Sequence, residues 1–198
     1  MESTAQVIGN AIVQADKAAT LSLNALHAYW SDAVWICFSD KWIWAPLYTL
    51  VLFFLFRRLG WKIALLALAA IVLTIVCSDQ GANVFKNWAC RLRPSHDAWM
   101  LSHGLHLPGD AGGLYGFFSA HAANSFGFAA VSLGIFRTDG RHSYKAYGWA
   151  IMIWAFLVSL SRIFLGRHYL GDILVGAGVG LLLGWLFALL FRRLAGRI

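Results

Sequence analysis

What most constrains this chain is a recurrence of long segments that contain no Asp, Glu, Lys or Arg. Ile173–Phe191 is one, and Phe117–Phe136, Ala146–Ser161, Ile63–Ser78 and Trp42–Phe56 are others. About 20 apolar residues cross a hydrocarbon core of roughly 30 Å, and a helix satisfies its main-chain groups internally as it does so. The pattern predicts an all-α, polytopic membrane helix bundle with five transmembrane helices. Composition excludes an ordinary soluble globule: 60% of the residues are hydrophobic and 13% charged, where soluble domains carry about 25% charged residues. It excludes a disordered chain as well, since 15% of the residues are aromatic.

The first forty residues follow another pattern. Val7, Ile8, Ile12, Leu21, Leu23, Leu26, Tyr29 and Trp30 are interrupted by Gln14, Asp16, Lys17, Asn24, His27 and Asp32. That is too polar for a comfortable span. Residues 1–40 are expected to form an amphipathic segment lying in the interface, ahead of a transmembrane domain at 41–198, with a sixth span as the alternative. They lack the basic start and compact apolar stretch of a signal peptide.

The net charge of +7 comes from 16 Lys and Arg against nine Asp and Glu. These bases sit in short clusters between apolar runs, the pattern of a membrane topology and not of a nucleic-acid-binding surface. One side of the bundle carries Arg57, Arg58, Lys62, Arg137, Arg141, Lys145, Arg192, Arg193 and Arg197, and is expected to face the cytoplasm. The other side carries Lys41, Lys86, Arg91, Arg93, Arg162 and Arg167, with Lys17 beside them if the amino-terminal segment stays there. Bases kept on the outer side need a reason. Cys37, Cys77 and Cys90 have no metal-ligand spacing, and Cys77, inside an apolar run, reads as a small packing residue. Gly176, Gly180 and Gly184 recur every four residues, which permits close helix approach inside the bundle or between two copies.

Three outer segments concentrate polar groups. In the first, Lys86 to Arg93-Pro94, almost two helical turns separate the two bases, so both leave one helix face, and Pro94 should stop the helix. In the second, Phe118-Ser119-Ala120-His121 opens a charge-free span, with Ser119 as its N-cap and free N–H groups offered to an anion. In the third, running from Ser161-Arg162 through His168 to Asp172, the histidine and carboxylate stand four apart and face each other on a helix. Singly, such features are snorkelling bases, a cap and a structural hydrogen bond. Together they put Arg and Lys clamps, two histidines, a carboxylate and a helix N-terminus on one face at one depth. This constellation suits phosphate chemistry.

These segments, Lys86-x6-Arg93-Pro94, Ser119-x-His121 and Ser161-Arg162-x5-His168-x3-Asp172, resemble the tripartite signature of the type 2 phosphatidic acid phosphatase superfamily over roughly residues 40–191. The first and third match at every defining position. The middle one departs, reading Phe-Ser-Ala-His where the family usually has Pro-Ser-Gly-His. The resemblance implies that Lys86, Arg93 and Arg162 hold the phosphate, helped by Ser119 and the amide of Ala120. It implies His168 as nucleophile, Asp172 as the group fixing its tautomer, and His121 as general acid and then base. It implies no metal and no other cofactor, since three fixed cations supply the charge.

The expected function is a phosphohydrolase that removes phosphate from an envelope lipid, lipid A or undecaprenyl diphosphate. It would act through a phosphohistidine, in a bacterial inner membrane with the site toward the periplasm. Phosphatidylglycerol phosphate or phosphatidic acid as substrate, or transfer to another lipid, are the alternatives within this chemistry. An intramembrane serine protease using Ser119, or a non-catalytic lipid-binding protein, are the alternatives outside it. The expected partners are a membrane lipid-phosphate substrate and the bilayer, with no nucleic acid; oligomeric state is left open. The 95–116 loop, with His96, Trp99, His103, His106 and Tyr115, is a candidate for recognising a sugar headgroup or else a solvated loop.

Overall fold

The computed structural model describes residues 3–196, so Arg197 lies outside the described residues. Among them the chain is helical, with one isolated bridge between Leu92 and Tyr115. The order is α1 (Thr4–Asn24), α2 (Asp32–Ser39), α3 (Ala45–Leu59), α4 (Trp61–Ala89), α5 (Ala98–Ser102), α6 (Ala120–Phe136), α7 (Lys145–Phe164) and α8 (Leu170–Ala195). Each of the five apolar runs becomes a helix: α3, α4, α6, α7 and α8. Three of these, α4, α7 and α8, are long and apolar enough to cross a membrane, while α3 has 15 residues and α6 has 17. At about 1.5 Å per residue, 17 residues reach roughly 25 Å, short of a full hydrocarbon core.

α6 is the axial helix. It packs against α4, α7 and α8, and residues on every side of it are buried. Its contact with α8 is made by glycine. A Cβ on Gly176 would stand 2.5 Å from the Ser119 carbonyl oxygen, one on Gly180 2.2 Å from that of Ala123, and one on Gly184 2.6 Å from that of Gly127. The small-residue stripe is therefore an internal packing face. The core beneath is aromatic and aliphatic, with Phe128, Ile135, Ile151, Trp154, Val158 and Phe191 buried together.

Chain direction places the carboxyl end of α4, the amino end of α6, the carboxyl end of α7 and the amino end of α8 at one end of the bundle. These four ends carry the polar motifs. Arg57, Arg58, Arg137, Lys145, Arg192 and Arg193 sit at the opposite end.

Three local expectations are corrected. α4 stops at Ala89, where Cys90 takes a left-handed conformation (φ 46°), so Arg93 is extended and does not share a helix face with Lys86. His168 precedes α8, so its pairing with Asp172 joins a turn to the first turn of a helix. Cys77 is exposed on the outer wall and lies outside the buried core.

α1 is amphipathic with its polar side inward. Thr20 and Asn24 are buried, while Val7, Ile8 and Ile12 are exposed. The Asn24 amide donates to the carbonyls of Ile163 (2.9 Å), His106 (3.1 Å) and Phe164 (3.3 Å), satisfying oxygens freed where α7 ends. Asp16, Lys17 and Asn24, which interrupt the apolar pattern in the sequence, dock this helix, while Gln14 is exposed.

Candidate active site

His168 is placed by a tight turn. α7 ends at Phe164, Gly166 adopts φ 62°, and the amides of Arg167 (2.9 Å) and His168 (3.3 Å) fold back onto the Arg162 carbonyl. A Cβ on Gly166 would lie 2.3 Å from Leu107, so glycine serves both the backbone sign and the close packing. The result brings Arg162, in the last turn of α7, to the same cavity as a histidine outside the helix. Arg162 and His168 are only 3% and 2% exposed, and Asp172 is fully buried.

Asp172 Oδ2 lies 3.3 Å from His168 Nδ1 and accepts the Tyr169 amide at 3.1 Å. Its Oδ1 accepts Arg91 Nη1 at 2.7 Å. The carboxylate thereby fixes the ring, with Nδ1 as its hydrogen-bonded nitrogen and Nε2 free for chemistry. Burial, and then the nearby Arg162 and Arg93 cations, push the His168 pKa well below the ordinary histidine value, which favours the neutral ring.

Ser119 is the N-cap of α6, as the sequence predicts; its hydroxyl accepts the Ala122 amide at 3.4 Å and its own amide donates to the Asp172 carbonyl at 3.0 Å. It is fully buried, a position that suits a cap and not an attacking serine. The amino end of α6 brings Ala120 and His121 to the same cavity as His168, Lys86, Arg93 and Arg162. All four cavity-lining groups of the first and third motifs thus converge although they arise from separate elements.

Arg93 is held extended by the loop that follows it. Its amide donates to Leu114 (3.0 Å), its Nε to the Tyr115 carbonyl (3.0 Å), and the Gly116 amide returns to Arg91 (2.9 Å). Burial, and then the Arg167 cation, lower the Arg93 pKa from its usual value. Like charges crowded in this way form a site that an anion relieves. Among the described residues, Nε of Arg162 and Nε of Arg167 are buried without a hydrogen-bond partner, leaving donors for an incoming ligand.

The cavity has a volume of about 770 Å³. Lys86, Arg93, Arg162, Arg167, His121 and His168 line it, with Lys41, Asp79, Gln80 and Asn124 as further polar groups, and Leu52, Leu68, Ile71, Ile75, Phe128 and Trp154 form its apolar wall. α2 walls the mouth: Trp35 stacks on Phe164, and Arg162 Nη1 donates to Ser39 Oγ.

Arg91, Arg167, Ser39 and Gly116 belong to this site although no motif marks them. Arg167 pairs with Asp110 at 2.5 Å at the rim. A Cβ on Gly116 would stand 3.1 Å from Asp172 Oδ2 and 3.5 Å from His168 Nδ1, so the loop backs directly onto the pair. The basic excess on this face was the one signal for the two arginines. The loop histidines are spent elsewhere: His106 Nε2 is 3.0 Å from both Asp32 oxygens, His103 Nδ1 is 2.7 Å from the Trp99 carbonyl, and His96 Nδ1 is 3.1 Å from Ser95 Oγ. Among the described residues no three His, Cys, Asp or Glu gather to hold a metal ion.

The model of the PAP2 superfamily matches residues 63–195, and the chain belongs to that superfamily. By that membership it is a phosphatase. It is 37% identical over 180 residues to the lipid A 4'-phosphatase of Bacteroides thetaiotaomicron, which covers 90% of this chain and 77% of that protein. It is 34% identical over 174 residues to the lipid A 4'-phosphatase of Porphyromonas gingivalis, covering 87% of this chain and 71% of that one. Its fold is similar to the crystal structure of a transmembrane PAP2 type phosphatidylglycerolphosphate phosphatase from Bacillus subtilis, with a TM-score of 0.71 over 93% of this chain and 88% of that one. The identity there is 22%, so this likeness is one of fold.

Proposed function

We propose that this protein hydrolyses a phosphate monoester on a lipid A-type glycolipid, at the periplasmic face of a bacterial inner membrane, through a phosphohistidine on His168. The observation that carries the reading is one cavity whose lining joins five cations and two histidines to a largely apolar wall. A phosphorylated amphiphile matches it, headgroup to cations and chains to the apolar wall. The curated relatives named lipid A 4'-phosphatase favour that lipid over undecaprenyl diphosphate.

Lys86, Arg93 and Arg162 grip the phosphate oxygens and stabilise the charge of the transition state. The Ala120 amide at the α6 terminus completes the cradle, and Ser119, buried behind the cavity lining, holds that terminus in place as its cap. His168 Nε2 attacks phosphorus, the bond to the lipid oxygen breaks, and His121 gives that oxygen its proton. The resulting imidazolium is balanced by Asp172. His121 then takes a proton from water as the water attacks phosphorus; the P–N bond breaks and neutral His168 returns. The amino-terminal helix lies in the interface beside the site, its exposed Val7, Ile8 and Ile12 toward lipid.

The test is phosphate release by the purified protein from lipid A, phosphatidylglycerol phosphate and undecaprenyl diphosphate side by side. Highest kcat/KM on lipid A is expected; a clear preference for either of the others would overturn the substrate while leaving the reaction standing. Orientation is tested in intact cells of a cysteine-free variant: a cysteine at Ser102 should react with an impermeant maleimide and one at Thr138 should not.

A further inference from the structure

We propose that Asp16 and Arg91 are positioning residues for Asp172, so that the amino-terminal helix α1 completes the catalytic centre. The inference rests on the reading of His168 as nucleophile and adds to it a relay that begins outside the matched span of the family.

Asp172 is fully buried, and a buried carboxylate is held only where both oxygens are paired. Oδ2 serves His168. Oδ1 has Arg91, at 2.7 Å. Arg91 in turn gives Nη2 to Asp16 Oδ2 at 2.6 Å and lies 4.2 Å from the centre of the Tyr169 ring. One cation is thereby shared between two carboxylates. Were Asp16 neutral, the whole Arg91 charge would fall on Asp172 and weaken its hold on the His168 proton, at the moment when the imidazole must accept positive charge.

Asp16 also acts on the helix that carries Asp172. The first N–H groups of a helix have no partner within it, and Tyr169, the residue before α8, supplies no side-chain cap. α1 supplies the caps from outside: Asp16 Oδ1 accepts the Gly171 amide at 2.8 Å, and Thr20 Oγ1 accepts the Leu170 amide at 2.9 Å. A Cβ on Gly171 would lie 2.8 Å from Asp16 Oδ2, so the carboxylate reaches this spot because residue 171 is glycine. The same three residues, Asp16, Arg91 and Gly171, therefore fix both the charge and the place of Asp172.

α1 has a second anchor, in which Lys17 contacts none of Asp16, Arg91 and Asp172 and meets the relay only at one remove, through Asp97 and the Tyr169 ring. Lys17 pairs with Asp97 at 2.6 Å, and Asp97 accepts the Tyr169 hydroxyl at 2.8 Å. It provides the control that separates docking from positioning.

The experiment compares Asp16→Asn, Arg91→Lys, Arg91→Met, Lys17→Met and His168→Ala with the parent protein. Each is scored for kcat, KM, melting temperature and the single-turnover rate of phosphoenzyme formation. Asp16→Asn keeps an oxygen for the Gly171 amide and removes the charge. It should lower kcat and phosphoenzyme formation by about 10–100-fold, the scale seen when a group that orients a metal-bound histidine is removed, with KM within about threefold. Arg91→Lys should recover part of the activity that Arg91→Met loses, and Lys17→Met should stay close to the parent in kcat. A parent-like kcat for Asp16→Asn overturns the proposal. So does a parallel loss of kcat and melting temperature in Asp16→Asn and Lys17→Met, which would make α1 a strut. Full activity of His168→Ala would instead overturn the site itself.

Discussion

The main-chain amide of Ser119 donates to the carbonyl of Asp172 at 3.0 Å, tying the amino ends of α6 and α8 together at the level of the site. That bond exists because glycines on α8 let it press against α6. The first prediction follows from this contact. Gly180→Ala places a Cβ within 2.2 Å of a main-chain oxygen that has no room to move, and should cost about 1–3 kcal/mol or more of stability. Gly176→Ala, 2.5 Å from the Ser119 carbonyl, should lower kcat as well, because it displaces the cradle itself. Gly178→Ala meets nothing within 4 Å and should match the parent. Melting in detergent with parallel phosphate release checks all three, and equal behaviour of the three variants would contradict the packing.

The pH profile follows from His168. Burial, and then Arg162 and Arg93, hold its pKa well below the ordinary value, and the attacking ring must be neutral. The acid limb of kcat/KM, which reports the free enzyme, should therefore fall below about pH 6.5. The same shift makes a stability statement: the unfolded chain binds the proton more readily. The contribution of the buried neutral ring is whole above the unfolded value and shrinks as pH falls from there. An acid limb above pH 7 would contradict the assignment.

The apolar wall should set chain preference. Leu68→Trp fills part of the 770 Å³ cavity away from the cations. It should raise KM for a long-chain lipid phosphate by about tenfold or more, roughly 1.4 kcal/mol, and leave a short-chain soluble phosphate ester nearly unaffected. Equal losses on both substrates would place the chains elsewhere.

Much of this was legible in the sequence, and the reasons for what was not are physical. Apolar runs report helices directly, so α3, α4, α6, α7 and α8 stand near where the pattern put them. Motif spacing reports which residues meet but not by what path: Lys86 and Arg93 line one cavity although Cys90 breaks the helix between them. His168 reaches Asp172 from a turn. Arg91 could not be told from other outer bases, because its meaning lies in two carboxylates, one at position 16 and one at 172. The inward polar face of α1 was hidden for the same reason, since its partners are carbonyls and amides of distant segments.

The central claim, a covalent intermediate on His168, is tested most directly by trapping it. Protein mixed with a lipid substrate labelled in the phosphate should be quenched under denaturing alkaline conditions, which preserve a P–N bond, and the labelled peptide sequenced. The account predicts label on His168, more of it in His121→Ala with a substrate whose leaving group is already acidic, and none in His168→Ala. Label on Ser119, or turnover with no labelled residue at all, would contradict it.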